Sequence, residues 1–210
     1  MLEWITNLTH KIESRAVKAG FIYKIACGYY RNVIKKEAAL AGVTENDHIL
    51  CVGGGICPFS AILFHQTTGA KVTVIDNNER CVPKAKRVIE KLGLGDSVRV
   101  FHQDGCSTDI MFADYTVVHL ALQVFPMEEV FSCVERHIAP GTRMLVRRPK
   151  KQLNNMYCKL CDSLLHNCPC AVHKFRNIGS TALYIKQDDG ELGRLPYCGE
   201  IHSRVPKAAA

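Results

Sequence analysis

No apolar run in the chain reaches the roughly 18 residues that a membrane-spanning helix needs, so no membrane partner is expected. Residues 1–15 carry charge throughout and lack an apolar stretch followed by a small-residue cleavage site, which argues against a signal peptide and for a cytoplasmic protein. Internal repeats and low-complexity segments are missing as well, which excludes solenoids and tails. The densest basic stretch, Arg147-Arg148-Pro149-Lys150-Lys151, contains no stacking aromatic and follows a predicted strand; it reads as a solvated loop, and no nucleic-acid partner is expected despite the net charge of +7. Nor is there a secreted disulfide framework. The eleven cysteines are odd in number and scattered through predicted helices and strands, the pattern of reduced thiols. What remains is a globular chain of 210 residues, 47% hydrophobic and 22% charged, with a mean hydropathy of −0.02. That length suits one domain with a small helical cap.

Residues 1–42 read as that cap: apolar positions recur at helical spacing, broken at Ala19-Gly20, and a second helix closes at Gly42. From His48 the period changes. His48-Ile49-Leu50-Cys51-Val52 is a short apolar run ending in three glycines, a buried strand meeting a tight turn. Beyond it a helix is predicted at 60–66, a strand at 71–75, a helix at 78–92, strands at 98–102 and 115–120, a helix at 127–137 and a strand at 142–146. Strands separated by helices imply a parallel sheet covered on both faces. A helix at 152–165 then leads to two alternating strands, 171–177 and 180–186, joined as a hairpin. The expected fold is α/β: a Rossmann-like, seven-stranded, mostly parallel sheet over 43–206, preceded by the cap.

The chemistry gathers at the carboxyl ends of the strands. Gly53-Gly54-Gly55-Ile56-Cys57-Pro58 lies between a strand and a helix, where glycine lets the backbone approach a ligand closely. Asp76 ends the next strand, about 20 residues on, where a carboxylate accepts both hydroxyls of a ribose. Gln103-Asp104-Gly105 ends the strand after that, where an acid can meet an adenine amino group. Three such features on three consecutive strands point to an adenosyl ligand. A dinucleotide fits less well, since Pro58 stands where its pattern wants a glycine and no basic side chain sits in the turn.

The segment Cys81-Val82-Pro83-Lys84-Ala85-Lys86-Arg87-Val88-Ile89-Glu90-Lys91-Leu92-Gly93, running on to Val98-Arg99-Val100 and Gln103-Asp104-Gly105, resembles the second half of the cofactor site in class I S-adenosylmethionine-dependent methyltransferase-fold proteins. S-adenosylmethionine as co-substrate follows from that resemblance. Cys51 departs from the acid usually placed two positions before the first glycine, and Cys57 from the usual third glycine. A nearer resemblance is to the nicotianamine synthase family. It rests on Tyr30 with Glu37-Ala38-Ala39-Leu40, on the turn from Gly53 through Ser60, and on His119-Leu120-Ala121-Leu122 followed by Pro126. It spans Tyr30 to Arg148 and implies transfer of the 3-amino-3-carboxypropyl arm, rather than the methyl group, to a small amine or amino-acid acceptor.

On this resemblance Glu37 would be the base for amine attack, with Tyr30 and Tyr29 orienting the acceptor; the alternative for Glu37 is a charge on a solvated helix face. Gly53, Gly54, Gly55, Pro58, Ser60, Asp76, Asn77, Asp104, Gly105 and Leu120 would hold the co-substrate. Two further readings stay open: a small-molecule methyltransferase of the same fold, and a non-catalytic sensor of an adenosyl ligand. Finally, Cys158-x-x-Cys161 and Cys168-Pro169-Cys170, with His166 and His173 nearby, have partial metal-site spacing. Free thiols are the expectation there, with no metal.

Overall fold

The computed structural model describes residues 20–107, 109–150, 152–153, 165, 167–174 and 177–188. Among the described residues the elements follow in order: α1 (Gly20–Ala41), β1 (His48–Val52), α2 (Phe59–Thr68), β2 (Lys71–Asp76), α3 (Val82–Lys91), β3 (Val98–His102), β4 (Val117–Leu120), α4 (Met127–His137), β5 (Arg143–Pro149), β6 (Cys170–Val172) and β7 (Ile178–Ile185). The strands form one sheet in the order β3-β2-β1-β4-β5-β7-β6. β1 through β5 pair in parallel, while β7 runs antiparallel to both β5 and β6.

Strand alternation divides the interior. Ile49 and Cys51 of β1 face α1, α2 and α3 in one buried cluster with Val72, Val74, Val117 and Leu145. Leu50 and Val52 face the other way, against α4, with Val118, Leu120, Met144 and Val146. Because β1 is covered on both sides, its side chains from Ile49 to Val52 are apolar without a break, as in other buried parallel strands. α4 carries Glu128 and Glu129 in its first turn and Arg136 and His137 in its last, opposing the helix dipole at each end.

The expected α/β sheet and terminal hairpin are therefore present. The first helix expected within 1–19 and most of the helix at 152–165 lie outside the described residues. One expectation is corrected. β5 runs on through Arg147 and Arg148 to Pro149, so the basic stretch begins inside the sheet and not in a solvated loop. Arg147 is buried because alternation places it on the same face as Leu145, opposite a buried carboxylate. A second correction concerns the thiols: Cys106 and Cys133 are joined by a disulfide with a Cα–Cα distance of 5.2 Å. It ties the loop after β3 to α4. Among the described residues, no helix is long and apolar enough to cross a membrane.

Candidate functional site

The carboxyl edge of the sheet holds two adjoining cavities that share Gly53, Gly55 and Gln123. The outer one is a cleft of about 680 Å³ between the ends of β1, β2 and β3 and the segment leading into α4. Asp76 and Asn77 border it at the end of β2, and Asp104, Gly105 and Cys106 after β3. Gly53 and Gly55 turn the chain here with φ of +84° and +61°, a region that side chains with a Cβ rarely enter. The turn is pinned to its neighbour strand: the Gly55 amide donates to Asp76 Oδ2 at 2.7 Å, and the Asn78 amide to Asp76 Oδ1 at 2.9 Å. Asp104 receives the Cys106 amide at 2.8 Å. A Cβ on Gly105 would stand 2.9 Å from a Val130 methyl, so only glycine lets the cleft floor pack this closely against α4.

The inner cavity, of about 110 Å³, lies under the glycine turn on the α1 face of the sheet. Gly54, Pro58 and Ser60 border it from the turn and the start of α2, Tyr30 from α1, His119 from β4 and Arg147 from β5. Tyr30 stacks on Phe59 with centroids 5.8 Å apart, and the Arg147 guanidinium carbon stands 5.7 Å from the Tyr30 ring centre. Cys51 and Cys57 border it too, so the two departures from the methyltransferase pattern meet at one place. Burial pushes the Cys51 thiol up to about 12, and it stays protonated.

Glu37 lies directly behind this cavity, with no exposed surface and no place in its lining. The solvated-face alternative is therefore excluded. Arg147 grips Glu37 with two parallel bonds, Nε to Oε1 and Nη2 to Oε2, each 2.8 Å, and sends Nη1 to Ser60 Oγ at 2.9 Å. Thr181 donates its hydroxyl to Oε1 at 2.6 Å. Having spent its only proton there, Thr181 must accept from His173 Nε2 at 2.9 Å, which fixes that ring's tautomer. Burial alone would raise the Glu37 carboxyl, but the charge and hydrogen bonds of Arg147 outweigh it and lower the value from 4.5 to about 2.

His119 completes the group. Its Nε2 is 3.7 Å from Glu37 Oε2, too far for a hydrogen bond, and its ring meets Phe64 edge-on at 5.4 Å. Burial, helped by Arg147, pushes its value down to about 3, so the ring is neutral.

The residues expected to hold a co-substrate thus divide between the cavities, with one exception. Leu120 lines neither: alternation turns it into the core on the α4 side, and its neighbours Ala121 and Leu122 border the inner cavity instead. The Tyr29 side chain lies outside the described residues. Arg147, His119, Thr181, Gln123 and Cys106 were not expected at the site. The one sequence signal for Arg147 was its even spacing from Leu145 in a strand, masked by the four polar or proline residues after it. Of the residues with partial metal-site spacing, Cys158, Cys161 and His166 lie outside the described residues, Cys168 packs against the core, Cys170 is exposed, and His173 serves Thr181. Among the described residues no group of three or more His, Cys, Asp or Glu side chains is placed to hold a metal.

No protein-family model matches the chain, and no curated protein matches its sequence. Solved structures do match. A glutamate-to-glutamine variant of MtNAS in complex with S-adenosylmethionine superposes with a TM-score of 0.72 at 22% identity, over 89% of this chain and 76% of that one. The fold is that of the class I methyltransferases. MtNAS in complex with MTA and tNA gives 0.72 at 23% identity, over 89% and 74% of the two chains. An RNA methyltransferase from Salinibacter ruber in complex with S-adenosyl-L-homocysteine gives 0.56 at 17% identity, over 75% and 92%.

Proposed function

We propose that this protein is an S-adenosylmethionine-dependent transferase that moves the 3-amino-3-carboxypropyl arm onto a small amine or amino-acid acceptor. The observation that carries the reading is the pair of joined cavities. One is large and has a ribose-type carboxylate; the other is small, polar and set beneath the glycine turn where they meet. Asp76 would receive the ribose hydroxyls, Asp104 the adenine amino group, and the glycines at 53 and 55 would let the chain lie close to the ligand. The donor fits these residues: half-exposed Asp76 is already oriented by two amides, and the turn holds no side chain that would fill the cleft. When bound, it supplies a sulfonium whose attached carbons accept a nucleophile.

Arm transfer is favoured over methyl transfer by the likeness to MtNAS, which was crystallised with MTA and tNA, and by an inner cavity reached past the glycine turn. The same geometry supports a role for Glu37 other than the base that the resemblance implies. A carboxylate lowered to about 2, with three of its acceptor positions taken, is a poor proton acceptor. It is better suited to act as a fixed negative charge that holds Arg147 and faces His119.

Methyl transfer is the second reading, favoured by the S-adenosyl-L-homocysteine-bound methyltransferase of the same fold. Mass spectrometry of the nucleoside released from S-adenosylmethionine, with a panel of amines and amino acids, separates the readings. Methylthioadenosine marks arm transfer and S-adenosylhomocysteine marks methyl transfer. Release of neither, with the donor bound, would leave a sensor.

A further inference from the structure

His119 stands out within the inner cavity. It has no exposed surface, yet both ring nitrogens lack a hydrogen-bond partner among the described residues. A neutral imidazole has one N–H to give and one lone pair to receive, and leaving both unmet in a protein interior costs stability. Position 119 lies on a strand, between Cys51 of β1 and Leu145 of β5, where an apolar side chain would pack without that cost. The ring borders the cavity together with Arg147 and Ser60, so a ligand there could satisfy it.

The cavity also constrains what that ligand can be. No carboxylate lines it, Glu37 being set behind Arg147, while Arg147 itself brings a guanidinium. An ammonium group entering here would meet a cation and no exposed anion. An uncharged amine or hydroxyl would instead find a lone pair on His119, and a carboxylate on the same molecule could reach the N–H groups that Arg147 does not spend on Glu37 and Ser60.

We infer that His119 is the residue that receives the acceptor, and that the acceptor's nucleophile enters the inner cavity uncharged, its N–H or O–H donating to the imidazole. This rests on the transferase reading above. For an amine, the step then balances without a base in the site. The amine nitrogen bonds to the carbon under attack, the carbon–sulfur bond breaks with its electron pair left on sulfur, and the positive charge passes from sulfur to nitrogen. The surplus proton is lost to solvent once the product has left. As charge develops on nitrogen, the bond to His119 strengthens, with the Glu37 carboxylate 3.7 Å behind the ring.

Three measurements on the full chain decide it: thermal melting, binding of S-adenosylhomocysteine, and calorimetric titration of the S-adenosylhomocysteine-saturated protein with L-alanine and L-lactate, an amine and a hydroxyl on one framework. His119→Phe should melt at or above the wild-type temperature, because it removes two unpaired polar atoms, and should bind S-adenosylhomocysteine within about threefold. It should lose at least tenfold in affinity for both probes. His119→Gln, which keeps one donor and one acceptor, should recover part of that loss. L-lactate should bind the wild type at least as well as L-alanine, since it has no proton to shed. Wild type that binds neither probe, equal binding by His119→Phe, or a melting temperature lowered by several degrees in that variant would overturn the inference. A tenfold preference for the cationic amine would overturn the uncharged nucleophile. Failure of S-adenosylhomocysteine to bind the wild type would instead refute the adenosyl-transferase reading beneath it.

Discussion

Replacing Glu37 by glutamine gives a measurable consequence of the buried ion pair. Glutamine keeps the size of the side chain and one acceptor oxygen, but turns an NH2 group toward a guanidinium that is only 4% exposed. Removing one partner of a buried pair costs on the order of 3–5 kcal/mol, because the other charge is left uncompensated. Proton linkage gives a second route to the figure. The carboxyl lies at about 2 in the folded chain against an ordinary 4.5. At about 1.36 kcal/mol per pH unit that gap is worth about 3 kcal/mol. A folded-state value below the ordinary one means that the contribution is full above pH 4.5 and drains away as the pH falls toward 2. For a chain of this length the loss corresponds to about 6–12 °C in melting temperature. Melting curves of wild type and Glu37→Gln from pH 7 to pH 3 should therefore show a wide gap at neutral pH that narrows below pH 4.5. A variant that melts with the wild type at pH 7, or a gap that stays constant down to pH 3, would refute the reasoning and place the charge of Glu37 outside the stability of the fold.

Asp76→Ala should weaken S-adenosylhomocysteine binding by roughly 1–3 kcal/mol, about five- to 150-fold in calorimetry, since it removes the proposed ribose acceptor and frees the Gly55 amide; unchanged affinity would move the ribose elsewhere. Cys133→Ser, or reduction of the wild type, should cost roughly 3–4 kcal/mol for a loop of this length, the bridged residues being 27 apart. Non-reducing peptide mapping should recover the Cys106–Cys133 pair from the untreated protein, and equal melting temperatures with and without reductant would show that the bond contributes nothing.

The outer cleft was legible because each of its parts is local. A short apolar run closed by glycines marks β1, and an acid at the end of an apolar strand marks Asp76; His48–Val52, Val98–His102 and Met127–His137 begin and end where the pattern places them. Of the inner cavity, Tyr30, Gly54, Pro58 and Ser60 were legible, but the buried polar group behind it was not. Glu37 meets Arg147 across 110 residues and Thr181 across 144, and no spacing rule reaches that far. Arg147 was concealed by the polar residues after it, and His173 by the cysteines before it. The Cys106–Cys133 bond was hidden by the scatter of thiols, since no short spacing sets its partners apart. Leu120 failed for another reason. The strand end was right, but alternation turns the Leu120 side chain into the core on the α4 side, where it lines neither cavity.

The buried cluster of Glu37, Arg147 and Thr181, with His173 behind it, also bears on how such a chain changes over generations. Each member answers another's need, so losing one alone leaves a bare charge or an idle hydroxyl in the interior, while exchanging the set for well-packed apolar residues costs little. Descendants of this sequence should therefore keep the group whole or replace it together, with few viable steps between. The shape and charge of the inner cavity would then shift abruptly, at the moment the set is exchanged, while the outer cleft next door drifts one residue at a time.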